Sequence, residues 1–125
     1  MAFIIDLSDG YSCPVEFGLA VDGGRHEVQT FDARFKRLTQ DRIEALLRSG
    51  RDYALDLQDD KGRGGMSDRD IADEVLIGWD GVQAGDGSEV PFNKASKAKL
   101  LSIPGVTAAV VAAWCKSLRE QKEGN

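Results

Sequence analysis

The chain has 125 residues, 42% of them hydrophobic and 30% charged, with a net charge of −5 and an isoelectric point near 4.8. A chain of this length supports one domain that buries about two-thirds of the surface its unfolded form would expose, and the composition argues against general disorder. The acidic balance argues against attachment to a phosphate backbone or an anionic membrane surface, so proteins are the expected partners, with no nucleic acid and no membrane.

No stretch reaches the roughly 18 apolar residues of a membrane span, and MAFIIDLSDG lacks the basic start and long apolar region of a signal peptide. A cytoplasmic location is therefore expected. Cys13 and Cys115 have no C-x-x-C spacing and no histidine cluster beside them, the pattern of reduced thiols.

In chain order, FIIDL near the start is a candidate third strand for a sheet whose main pair follows it. Val15, Phe17, Leu19 and Val21 alternate with Glu16, Gly18, Ala20 and Asp22, the period of a half-buried strand. DGGR then offers residues that tolerate positive φ, and Phe31, Ala33 and Phe35 alternate on the return, so a hairpin is predicted. Val28 is out of phase with Phe31, which predicts a bulge or change of face between them. From Thr39 the period becomes helical: a capping Thr, then Ile43, Leu46 and Leu47, then a stop at Gly50. Tyr53, Leu55 and Leu57 alternate as in a strand, and DDKGRGGM reads as a mobile surface loop. SDRDIADEVLIGW has Ser67 at a cap position with Asp70 three residues on, and Ile71, Val75 and Trp79 at helical spacing. Asn93 opens a further helix, Pro104 marks the connection, and VTAAVVAAWCKSLREQKEGN is a last helix fraying into a polar tail. The expected architecture is α+β: an antiparallel hairpin or meander packed on three to four helices, one globular domain over 1–119 and a disordered tail over 120–125.

Catalytic equipment is missing from this pattern. His26 follows the hairpin turn and reads as a solvent-exposed residue, and neither cysteine has a local partner to lower its pKa. GRGG at 62–65 lacks the Lys-Ser/Thr of a phosphate loop, and Asp80 and Asp86 lack the intervening ligands of a calcium loop. These aspartates are expected to shape turns. Asp59–Asp60 and Asp73–Glu74 read as solvated charge. No catalytic, metal or cofactor-binding residue is assigned, no cofactor is expected, and the chain is read as a non-enzyme.

Glu74 to Phe92 reads as a structural corner, with Trp79 as a core anchor and Val90, Pro91 and Phe92 bringing the chain back apolar. SDRDIADEVLIGWDGV, a second DG, VPF and then AKLLSIPGV, in that order and preceded by FDARFKRL, resemble the small tail assembly chaperones of long-tailed bacteriophages and prophages. The resemblance runs from Val15 to Val111, and GWDGV to VPF is its most specific part. It implies a protein that binds the long tape measure protein, keeps it soluble and promotes assembly of tail tube subunits around it, and that is absent from the mature virion. In such phages a frameshifted longer form recruits the tube protein; a chain ending in REQKEGN resembles the unshifted product. The alternatives are a tail completion protein retained in the virion and a small hydrolase using Asp or His.

The run AAVVAAW is apolar beyond the needs of one amphipathic face, so the last helix is either a central core helix or one whose second face meets a partner. Val110, Val111, Trp114 and Leu118 form the candidate surface for the tape measure protein and for homo-oligomerisation, and Trp79 and Phe92 are the candidate structural anchors.

Overall fold

The computed structural model describes residues 9–59 and 65–122, and the side chains at 56–59 and 121–122 are left aside. Three strands and four helices make an α+β fold: β1 (Gly10–Val21), β2 (Arg25–Lys36), α1 (Gln40–Asp59), α2 (Asp68–Val75), β3 (Leu76–Asp80), α3 (Lys94–Leu101) and α4 (Val106–Lys122). The sheet is antiparallel in the order β1-β2-β3. The candidate strand FIIDL and residues 60–64 of the expected loop lie outside the described residues.

β1 and β2 form the predicted hairpin, closed by Asp22–Gly24 with Gly23 and Gly24 at φ 82° and 72°, where a side chain would be strained. Their register is unbroken from Gly10↔Lys36 to Val21↔Arg25. The bulge expected between Val28 and Phe31 is therefore absent: Val28 occupies the opposite face of a regular strand and is 73% exposed. The irregularity lies between Arg34 and Phe35 instead, where β3 pairs Gly78 with Arg34 but Leu76 with Phe35.

Two helix boundaries differ from the sequence expectation. α1 runs through Gly50 to Asp59, so Tyr53, Leu55 and Leu57 belong to a helix. Gly50 is used for contact rather than termination, since a Cβ there would lie 3.2 Å from the Ile71 methyl of α2. α2 stops at Val75, where the Leu76 N–H still bonds the Ala72 carbonyl, and the chain passes directly into β3. The run that follows, with Leu76, Ile77 and Trp79, gains a ladder with β2 that a longer helix would forfeit. Trp79 therefore sits on a strand and not on the helical face of Ile71 and Val75.

The helix starts match the sequence. Thr39 Oγ1 accepts from the Arg42 N–H (3.2 Å), and Ser67 with Asp70 and Asn93 with Ser96 form reciprocal capping boxes. α3 and α4 meet at 99°, a corner through Pro104 and Gly105 (φ 89°). α4 continues as helix to Lys122, past the expected start of the tail.

One face of the sheet carries the core. Val15, Phe31, Ala33 and Phe35 from the hairpin meet Leu46 of α1, Ile71, Ala72 and Val75 of α2, and Val106, Val110 and Trp114 of α4. α4 lies along β1, tied by the Tyr11 and Ser117 hydroxyls (2.8 Å), and Ser117 Oγ also donates to the Trp114 carbonyl (2.6 Å). The outer half of the hairpin extends past the helices: from Gly18 to Thr30 no residue is fully buried.

Candidate functional site

The stretch from Trp79 to Phe92 is a packed corner. Gly81 and Gly87 take φ of 84° and 86°, and two short segments pair through Gln83↔Glu89. Val90 N–H donates to the Val82 carbonyl and Ala84 N–H to the Ser88 carbonyl. The Asp86 carboxylate accepts from both the Ser88 N–H (2.9 Å) and the Ser88 hydroxyl (2.6 Å), which holds its pKa below the ordinary carboxylate value. This aspartate shapes a turn, as its sequence context suggests. Trp79 closes the corner: its indole N–H donates to the Val90 carbonyl (2.8 Å), and its ring meets Phe92 edge to face at 4.9 Å. The anchor pair is thus Trp79 with Phe92, half-buried beside the core rather than inside it.

The corner is tied to α2 from the far side. Lys97 of α3 pairs with Asp73 and donates to its backbone carbonyl, while the ammonium lies 5.8 Å from the Phe92 ring centre. Arg42 of α1 grips Glu74 with Nε at 2.7 Å and Nη2 at the second oxygen, which lowers the Glu74 pKa. The Asp73–Glu74 pair thus staples α1, α2 and α3 together and is not a bare run of charge.

The proposed partner face of the last helix is divided by the fold. Val110 is fully buried and Trp114 is 1% exposed, both against β1 and α2, while Val111 and Leu118 are half-buried at the margin. A single face holding all four cannot meet another protein while the domain is folded, because two of its four side chains already fill the core. The sequence missed this because a helix packed by both a sheet and a neighbouring helix needs a wide apolar arc.

The exposed large apolar side chains lie elsewhere. Leu47, Tyr53 and Leu55 project from α1, with Leu55 43% exposed, and Leu19 and Val28 project from the outer hairpin. Leu47 and Leu55 stand two helical turns apart with Arg51 between them. The expectation of a strand at Tyr53–Leu57 hid this helical surface.

Burial pushes both thiols up, Cys13 helped by the Glu120 carboxylate and Cys115 with a smaller opposing effect from Arg119. Burial likewise raises Tyr11, against the lowering effect of its hydrogen bond with Ser117. Among the described residues no group of three or more His, Cys, Asp or Glu side chains could hold a metal ion, and His26 is exposed on the outer hairpin. No single helix among them is long and apolar enough to cross a membrane. No protein-family model, curated protein or solved structure matches the chain.

Proposed function

We propose that the chain is a non-catalytic tail assembly chaperone of a long-tailed bacteriophage or prophage, acting in the host cytoplasm and absent from the finished virion. The observation that carries this reading is the ordered run of motifs from FDARFKRL through SDRDIADEVLIGWDGV and VPF to AKLLSIPGV. The geometry supports treating the most specific part of that run as a structural module. Trp79 is hydrogen-bonded to Val90 and meets Phe92 edge to face, so these three residues of the run pack the corner.

Its client is the tape measure protein. The surface offered to a helical client is the outward side of α1 around Leu47, Tyr53 and Leu55, in place of the buried face of α4. Apolar side chains flanked by Arg48 and Arg51 suit an amphipathic helix that brings both apolar and acidic residues. The tail tube protein is a partner of the longer frameshifted form.

Co-expression with the tape measure protein of the same phage or prophage tests the proposal. The expected result is a soluble complex recovered on the tagged chain, together with absence of the chain from purified particles by mass spectrometry. Its presence in particles at fixed stoichiometry would instead identify a structural tail component.

A further inference from the structure

Among the described residues β1 is a terminal strand of the sheet, and its two halves are protected differently. Antiparallel strands turn alternate residues toward and away from a given neighbour. Asp9 is turned toward β2, since its carbonyl accepts from the Arg37 N–H (2.9 Å). With no register break along the ladder, Ser12, Pro14, Glu16, Gly18 and Ala20 then face the outer edge. The inner half is blunted by Pro14, which has no N–H to give, and α4 runs beside it across an open groove. The outer half, Glu16 to Ala20, carries no proline and no bulge, and Gly18-Leu19-Ala20 is uncharged and exposed.

We propose that this outer edge pairs with the same edge of a second copy about a two-fold axis at Gly18, joining the two sheets into one. The register follows from the residues. Centring on Gly18 sets Glu16 opposite Ala20 of the second copy, giving about six ladder hydrogen bonds from the outward-facing groups. Phe17 of each copy then stands across from Leu19 of the other on the core side of the sheet, covering a leucine that the monomer leaves 37% exposed. Pro14 falls opposite Asp22 of the second copy, where that copy's strand has ended, so the missing donor interrupts nothing.

The charges agree with this register. Pro14 and Glu16 line an open groove of about 440 Å³ between β1 and α4, with Ala109, Ala112, Lys116, Arg119 and Glu120 on its helical side. Alanine leaves room for an incoming hairpin tip. Asp22, on that tip, arrives beside Lys116, which in the monomer is held by a 3.9 Å pair with the exposed Glu120. A symmetric contact makes this ion pair twice. The pairing is independent of the proposed function and would hold for any role of the chain.

Sedimentation equilibrium of the full chain tests it. The wild type is expected at twice its 13.6 kDa mass in the micromolar range. Gly18→Pro removes an outward N–H and no bond to β2, and a side chain at this position meets His26 at an ordinary 3.7 Å. It should raise the dimer dissociation constant about tenfold or more. Asp22→Lys and Lys116→Glu should each weaken the dimer, and the double exchange should restore it; this arm reads the register without touching the strand. A wild type that stays monomeric at several hundred micromolar overturns the proposal, as does a charge exchange without rescue. Protection of the Glu16, Gly18 and Ala20 amides only on adding another protein also overturns it, in favour of a foreign strand on this edge.

Discussion

Replacing Val110 by aspartate separates a core helix from a docking helix. Val110 is fully buried between the sheet and α2. Removing the valine forfeits about 1.5–3 kcal/mol of apolar burial. Housing an unpaired carboxylate there adds several kcal/mol more, whether it is met by desolvation or by protonation. The sum rivals the whole stability of a small domain, about 5–15 kcal/mol. Val110→Asp should therefore lose its cooperative melt by circular dichroism and be recovered largely as aggregate. Leu55→Asp makes the same chemical change at an exposed position on α1 and should stay within about 0.5 kcal/mol of wild type, while reducing recovery of the tape measure protein in the co-expression assay. A folded Val110→Asp melting within a few degrees of wild type would refute the packing argument and return the face of α4 to the list of partner surfaces.

Trp79→Phe keeps the ring against Phe92 but removes the indole donor to Val90, so a loss of about 0.5–1.5 kcal/mol is expected in denaturant titration, and Trp79→Ala should cost distinctly more. Asn93→Ala removes the cap of α3 and should destabilise by about 1 kcal/mol, with Ser96→Ala adding little once the box is broken. The Glu74 pKa is lowered in the folded protein, so its contribution to stability is fully present above the ordinary glutamate value and fades as pH falls through the folded value. The acid-side slope of the thermal midpoint should accordingly flatten in Glu74→Gln. Both thiols are raised by burial, so a thiol-specific disulfide reagent at neutral pH should label native protein much more slowly than unfolded protein.

Legibility in the sequence followed how local the cause was. The hairpin, its glycine turn and the three cap positions depend on neighbours within a few residues, and all were readable. α1 was cut short because Gly50 is an ordinary stop signal by itself; only the approach of Ile71 from α2 explains a glycine inside that helix. α2 was drawn too long because Trp79 falls in step with Ile71 and Val75, yet the strand β2 that captures Leu76–Asp80 is more than forty positions away. Ambiguity between a core helix and a binding helix in α4 was of the same kind, since apolarity measures how much is covered and is silent about by what. The Trp79–Phe92 anchor was visible as two aromatics flanking paired turns, although its hydrogen bond to Val90 was not.

The direct passage from α2 into β3 has a further consequence. Between Val75 and Leu76 there is no loop to take up slack, so the axis of the helix and the pleat of the strand are fixed to each other. One inserted residue would turn the preceding helix by about 100° or invert every side chain of β3, carrying Trp79 to the opposite side of the sheet from Phe92. Tilting α2 would likewise pull on the edge of the sheet and, through Trp79, on the entrance to α3. The domain should thus transmit a push on α2 as a nearly rigid body, and length changes at this junction should be poorly tolerated.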